Sequence, residues 1–157
     1  MRIPALACAL ICFFAVSELT KAQELKGLRR VQIEVTPLNK ADKEMDLTVE
    51  SLWDQTLVAL KRDIPKLKIE DAATSLVSVR VTSISTGGIE VASSVEVVLS
   101  RPVEIIADDG IKSYTLAVVW EKSSLLVGPF SNMASRIHEE ISEKLTAFAA
   151  KYYKDNP

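Results

Sequence analysis

The amino-acid sequence predicts an exported α+β domain: a two-layer sandwich with two amphipathic helices on one face of a mostly antiparallel sheet of about four strands. Alternating apolar and polar residues in the middle of the chain are typical of half-buried strands. Two other segments repeat apolar residues every three or four positions, as amphipathic helices do. An apolar N-terminal segment precedes both. The expected order of elements is β-α-β-β-β-α.

The N-terminal segment has the pattern of a secretory signal peptide. A basic residue near the start precedes residues 3–16, which are apolar and uncharged. This stretch is shorter than the roughly 20 residues that a membrane-spanning helix needs. Cleavage after Ser17 and cleavage after Ala22 both satisfy the small-x-small rule. We therefore expect a signal peptide over residues 1–22 and a single domain over residues 23–157.

Both cysteines, Cys8 and Cys12, lie within this signal peptide. Cys8 comes too early in the apolar segment for a lipidation site, and Cys12 follows Ile11 where a small residue would be needed. We expect no lipid anchor, and a mature chain with neither disulfides nor thiol chemistry. Its stability must therefore come from the hydrophobic core.

Charge and hydropathy limit the classes of partner. The formal net charge is −2, with both signs interspersed. No basic stripe of the kind that binds nucleic acid is evident. No segment after the signal peptide is long and apolar enough to span a membrane, so we expect no stable membrane insertion after cleavage.

The first half of the mature chain predicts a strand, a helix and a short strand. Residues 31–35 alternate in polarity, and a charged linker over residues 39–46 follows. Thr48 is the expected N-cap of a helix that Pro65 ends. A short strand is expected around residues 67–69. The apolar stripe of the helix consists of Val49, Leu52, Trp53, Thr56, Leu57 and Leu60.

The middle of the chain predicts a meander of three antiparallel strands. Residues 76–84 and 89–105 alternate on either side of a glycine turn at residues 85–88. Val95, Val97 and Leu99 are expected to share one face of the second strand. Pro102 should mark an edge, a bulge or a bend, because proline lacks the backbone N–H donor. The third strand follows the turn Asp108-Asp109-Gly110 and alternates through Tyr114, Leu116, Val118 and Trp120.

A long amphipathic helix is expected to close the chain. Gly128-Pro129-Phe130 ends the strand pattern, and Ser131 or Asn132 is the expected N-cap. Lys144 lies among the polar residues opposite the stripe. The apolar stripe extends over five turns and consists of Met133, Ile137, Ile141, Leu145, Phe148 and Tyr152.

The sequence contains few candidate catalytic residues. His138 is the single histidine; beside an apolar stripe, it is expected to be a boundary residue with its ring half covered. Without a second histidine or a mature cysteine, no ordinary zinc site can form. Ser123 and Ser124 have no local base. We therefore expect no enzyme, no catalytic or metal-binding residues and no cofactor.

The acidic residues have structural interpretations. Asp108-Asp109-Gly110 lacks the alternating oxygen ligands and the distal glutamate of a calcium loop, so we interpret it as a hairpin turn. Asp42, Glu44 and Asp46 alternate within the polar linker and are expected to be solvated.

The aromatic residues allow one contact hypothesis. Trp53 and Trp120 are both expected in the core, because large aromatic side chains are usually well buried. Tyr152 and Tyr153, flanked by Lys151 and Lys154, would form either an exposed contact patch or a helix end with one ring packed inward. The pattern does not separate these alternatives.

Several segments together resemble a group of small, uncharacterised bacterial proteins with signal peptides. The likeness covers essentially the whole mature chain and rests on residues 25–31, Leu47-Thr48, residues 95–103, Trp120 and residues 153–157. The motifs are structural, so the resemblance implies a fold and no activity. In element order the chain is also similar to the outer-membrane lipoprotein that assists lipopolysaccharide transport and to α/β modules of periplasmic assembly proteins.

Three functions follow as hypotheses for an exported, periplasmic or extracellular protein. The first is a non-catalytic binding or assembly module with a periplasmic protein partner, which would use an exposed sheet edge or face. The second is a carrier of a small apolar ligand held between the helices and the sheet. The third is a hydrolase with a dispersed site that uses His138.

Overall fold

The computed structural model describes residues 24–87, 89–107 and 110–157. The predicted signal peptide, with Cys8, Cys12 and both cleavage sites, lies outside the described residues, as do Gly88, Asp108 and Asp109. The elements in chain order are β1 (Arg30–Val35), α1 (Lys40–Glu44), α2 (Val49–Asp63), β2 (Lys68–Ile69), β3 (Leu76–Gly87), β4 (Glu90–Ile106), β5 (Lys112–Pro129) and α3 (Phe130–Asp155).

The five strands form one mixed sheet in the order β2-β1-β3-β4-β5. The meander β3-β4-β5 is antiparallel, as predicted. β1 pairs in parallel with both β2 and β3, so the expectation of about four mostly antiparallel strands was only approximately right. The difference arises because β1 and β2 are joined through α1 and α2, and a connection of that length can return the chain to start a parallel neighbour.

The predicted polar linker contains a short helix, α1. The Asn39 side chain accepts a hydrogen bond from the Asp42 N–H at 3.0 Å, and the Asp42 carboxylate accepts one from the Asn39 N–H at 2.9 Å. This is a capping box. Asp42 is fully buried, so the expectation that it is solvated was wrong. Asn39 also donates to the Ser83 carbonyl of β3 at 2.9 Å, which holds α1 against the sheet.

Helix α2 begins as predicted but presents a different face to the core. Thr48 is its N-cap and accepts a hydrogen bond from the Ser51 N–H at 3.0 Å. The buried residues of α2 are Leu52, Thr56, Ala59 and Leu60. Trp53 is 36% exposed and Val49 is also exposed, so the core assignment of Trp53 was wrong. The apolar stripe is wider than the strip of helix that the sheet and α3 cover.

Helix α3 buries its whole predicted stripe. Met133, Ile137, Ile141, Leu145, Phe148 and Tyr152 are all buried. The Phe148 ring packs edge-on against Trp120 of β5, with centroids 5.1 Å apart. Trp120 is therefore a core residue, as expected.

The start of α3 differs from the prediction. Neither Ser131 nor Asn132 caps the helix; Pro129 occupies the N-cap position without a side-chain hydrogen bond. The strand continues to Pro129, whose φ of −71° leads directly into the helix. The Phe130 N–H, at the first position of the helix, donates to the Ile89 carbonyl at 2.9 Å. The backbone next to β4 therefore satisfies a helix N–H that has no side-chain cap.

The beginning and end of the described chain are tied together. The Leu25 N–H donates to the Asp155 carboxylate at 3.0 Å, and the Gly27 N–H donates to Asn156 Oδ1 at 2.7 Å. Asn156 Nδ2 returns a hydrogen bond to the Leu25 carbonyl at 2.9 Å. Leu25 and Leu28 are buried in the common core, so this segment is part of the domain.

Candidate binding surfaces

β5 forms one edge of the sheet and is divided by a bulge. Within the described chain, β4 is its single neighbour. Leu99 lies opposite Trp120 and Ser100 lies opposite Val118, which leaves Val119 as the extra residue. The bulge resets the alternation: Trp120 faces the core, whereas Val118 is exposed. The simple alternation predicted through Val118 and Trp120 therefore does not hold.

Beyond the bulge, β4 and β5 project from the sheet as a two-stranded arm, here defined as residues 101–106 and 112–117. β3 begins at Leu76, which pairs with Ser100, so the arm has no third strand. Six residues of strand extend roughly 20 Å. Pro102 lies in the arm, where β4 has an unpaired side, so of the predicted edge, bulge or bend it marks an edge.

One face of the arm is mainly apolar and exposed. Pro102 lies opposite Leu116, and Glu104 lies opposite Tyr114. Tyr114 is 73% exposed and Leu116 is 52% exposed. The Lys112 ammonium lies 2.6 Å from the Glu104 carboxylate, so this ion pair joins the two strands of the arm.

A second exposed apolar patch lies on the sheet face opposite the core. Ile84, Ala92 and Val127 are directly opposite one another across β3, β4 and β5. Leu125, two residues from Val127, shares their face and is 71% exposed. We call these four residues the outer patch. Together with the arm, it gives β5 apolar side chains towards solvent at both ends.

A groove runs between the bulge of β5 and the last turns of α3. Its volume is about 760 Å³, and its lining combines apolar and charged side chains. Val119, Trp120 and Ala147 contribute apolar surface. Charged residues at the groove are Glu24, Glu121, Lys122, Lys151 and Lys154. The groove therefore follows the same edge strand as the arm.

A second groove of about 570 Å³ lies where β1 and β2 begin. We call it the cationic groove. It is lined by Arg29, Arg30, Lys66, Lys68, Glu70 and Tyr152. Arg30 is paired with Glu70 at 3.6 Å. This site was not predicted from the sequence, because its cations come from two strand starts that are separated along the chain by α1 and α2.

His138 is a boundary residue between α2 and α3, as predicted. Its Nδ1 lies 2.5 Å from Gln55 Oε1, and Gln55 Nε2 donates to the His138 carbonyl at 2.7 Å. Burial lowers the pKa of His138 below its ordinary value of 6.5. Neither of the other residues singled out from the sequence is placed beside His138. Trp120 lies on β5 against Phe148, and Asp108 is outside the described residues.

The other residues considered for chemistry have structural partners. Ser124 accepts a hydrogen bond from Lys144 Nζ at 2.8 Å. Glu44 pairs with Lys40, one turn away on α1. Within the described ranges, no group of three or more histidine, cysteine or acidic side chains is placed to hold a metal ion.

A buried lysine was not anticipated. Lys144 lies on α3 with only 6% of its side chain exposed, and its Nζ lies 2.6 Å from Glu140 Oε1. The hydrogen bond from Lys144, followed by one from Ser124, lowers the pKa of Glu140. The helical pattern placed Lys144 among the solvated residues, because sequence periodicity does not show that β5 passes beside it.

Of the two C-terminal tyrosines, one is in the core and one is exposed. Tyr152 is buried and Tyr153 is 46% exposed, and their rings meet edge-on at 5.5 Å. This matches the alternative in which one ring packs inward.

No family model and no curated protein matches the sequence. Among solved structures, the chain is similar to a PelC dodecamer from Paraburkholderia phytofirmans, with 18% identity, a TM-score of 0.47, and coverage of 78% of this chain and 87% of that one. A minor lipoprotein from Acinetobacter baumannii has 13% identity, a TM-score of 0.32 and coverage of 76% and 94%. The rare lipoprotein B from Shewanella oneidensis has 14% identity, a TM-score of 0.26 and coverage of 80% and 91%.

Two of these three solved structures are lipoproteins. The likeness to a group of small uncharacterised bacterial proteins has no counterpart among them. In the described residues, no helix has the length and apolar character required to cross a membrane.

Proposed function

We propose that the protein is an exported, non-catalytic binding module that takes up an extended segment of a partner protein along β5. The observation that carries this proposal is the length of the open edge. β5 spans Lys112–Pro129, and β4 pairs with it along its length; near its end, Arg136 Nη1 of α3 donates to the Val127 carbonyl at 3.0 Å. An unpaired strand edge presents backbone N–H and C=O groups that an added strand can bind.

The side chains along β5 support a protein partner. Leu116 and Tyr114 on the arm, and Leu125 and Val127 in the outer patch, are all exposed. Burying exposed apolar surface stabilises a complex by roughly 25 cal/mol per Å² before the costs of association are subtracted. A strand added to β5 would cover side chains at both ends of the edge, so backbone pairing and apolar contacts would act together.

The two alternative functions have less support. The apolar stripes that suggested a small-ligand carrier are engaged in core packing: Met133, Ile141 and Phe148 of α3 are fully buried. The hydrolase hypothesis needs a base within reach of a nucleophile in a pocket. The His138 ring instead contacts Gln55 at the α2–α3 boundary.

The proposal is tested by photo-crosslinking in cells. A photoreactive amino acid replaces Leu116 or Leu125 on β5, and in a matched control it replaces Val58, an exposed apolar residue of α2. We expect both β5 positions to crosslink to the same protein. The Leu116→Lys and Leu125→Lys variants should reduce recovery of that protein about tenfold or more, since each places a charge in an apolar contact.

The Val58→Lys variant should leave recovery unchanged, and all three variants should unfold at nearly the wild-type temperature because the sites are exposed. Crosslinking from Val58 to the same protein as strongly as from β5 would contradict the proposal. Crosslinking of β5 only to a second copy of this chain would also contradict it.

A further inference from the structure

We propose that the cationic groove binds a phosphate-rich anion, meaning a group with two or more phosphoryl charges. This inference is independent of the proposed protein interface at β5. The groove lies at the opposite edge of the sheet, formed by β1 and β2. Arg29 and Arg30, at the start of β1, and Lys66 and Lys68, at the start of β2, line it.

The strand pairing brings like charges together. Arg30 and Lys68 are directly opposite in the parallel β1–β2 pair, so their side chains leave the same face of the sheet. Like charges directly opposite one another destabilise a strand pair. Since β2 has only two residues, it offers little other pairing to offset this repulsion. An anion bound between the two side chains would remove the repulsion.

The groove has few internal counter-charges. Glu70 is its one carboxylate, and it pairs with Arg30 at 3.6 Å. In the described chain, no acidic side chain forms an ion pair with Arg29, Lys66 or Lys68. Four cationic side chains and one carboxylate therefore leave three uncompensated positive charges.

This charge count selects the class of ligand. Arginine and lysine side chains are donors only, so the ligand must supply acceptor oxygens. A carboxylate brings one negative charge, whereas a phosphate monoester brings about two and a second phosphoryl group brings the total to about three or more. Arginine side chains also bind phosphate oxygens in a bidentate manner. A diphosphate-type group, free in solution or on a lipid headgroup, fits the excess charge.

Protection of the sheet edge does not explain the whole cluster. An edge lysine such as Lys68 discourages pairing with other chains. That role does not require a positive charge at position 29, which directly precedes β1, or at position 66, which precedes β2. The presence of all four cationic residues in the lining of one groove is better explained by an anionic ligand.

The first test uses inorganic pyrophosphate as the probe and isothermal titration calorimetry of the protein as the cell produces it. We expect saturable binding that weakens with added salt. The double variant Arg29→Gln/Lys68→Gln should weaken binding about tenfold or more, because two charge-assisted hydrogen bonds are lost. Lys68→Arg should keep the affinity within about twofold, since the charge remains. Lys43→Gln on α1, an exposed lysine far from the groove, is the matched control and should bind as wild type.

A second assay identifies the source of the phosphate. Vesicles containing a lipid with a diphosphate or monophosphate headgroup are compared with neutral phosphatidylcholine vesicles in a sedimentation assay. Co-sedimentation that the double variant abolishes supports the same site with a lipid source. If the wild type and the double variant bind equally in both the calorimetric and the sedimentation assays, the proposal is overturned. Binding of polyglutamate as tight as that of pyrophosphate overturns the assignment to phosphate.

Discussion

At the scale of single residues, Asp155 has a structural role that its position near the C-terminus does not suggest. Its carboxylate accepts the Leu25 N–H and lies 3.0 Å from Lys151 Nζ. Burial opposes its ionisation, but the Leu25 hydrogen bond and the nearby ammonium groups outweigh this effect, so the pKa of Asp155 lies below its ordinary value of 3.8. The ionised carboxylate therefore stabilises the folded state.

We expect Asp155→Asn to lower the free energy of unfolding by about 1–3 kcal/mol at neutral pH, because a buried charged acceptor is lost. A group whose pKa is lowered by folding contributes its full stabilisation above its unfolded pKa and loses it as the pH falls. The difference between wild type and variant should therefore be constant above about pH 5 and shrink below pH 3.8. Urea denaturation over a pH series measures it. Glu139→Gln, at an exposed site on the same helix, is the control, and a difference that grows towards acid would contradict this assignment.

At the scale of elements, the sequence predicted those segments whose side-chain pattern follows from their own packing. The stripe of α3 and the buried faces of β3 and β4 were identified because each keeps one face towards the core. The parallel placement of β1 and β2 was missed, since strand order depends on contacts between segments that are distant in sequence. The α1 helix was missed because its capping box, Asn39 and Asp42, lies in a stretch with little apolar periodicity.

Lys144 links α3 to β5, because its Nζ donates to Ser124 Oγ of β5 at 2.8 Å and also lies 2.6 Å from Glu140 Oε1 on its own helix. We expect Glu140→Gln to lower the free energy of unfolding by about 2–4 kcal/mol, because it leaves the buried Lys144 ammonium without a counter-charge. The double variant Glu140→Gln/Lys144→Met should recover most of this loss, since it removes the buried charge as well. Chemical denaturation of both variants measures the effect. Equal stability of the wild type and the Glu140→Gln variant would show that the pair does not contribute.

At the scale of the whole molecule, the candidate binding surfaces were the least predictable feature. The alternation of Tyr114, Leu116 and Val118 predicted a strand, and each of these residues could equally have faced a core. They are exposed because β3 starts at Leu76, opposite Ser100, and the bulge at Val119 separates them from the buried Trp120. The cationic groove likewise depends on which strand starts are neighbours. Both features follow from the pairing register, which a single sequence does not define.

The molecule therefore consists of a packed body and a projecting arm, and we expect the body to fold without the arm. Deleting residues 102–116 and joining Arg101 to Ala117 through Asn-Gly replaces the arm with a two-residue hairpin turn. Because the side chains of the arm are largely exposed, its removal sacrifices little buried apolar area, and the unfolding temperature should change by less than about 5 °C. Arg101 keeps its hydrogen bonds to the Glu24 and Lys26 carbonyls, which lie in the body.

Thermal unfolding followed by circular dichroism measures the change, and crosslinking from Leu125 should lose the partner that the arm helps to bind. A shortened chain that fails to fold would show that the arm is needed to form the body, and one that retains full crosslinking would confine partner binding to the part of β5 beside the outer patch.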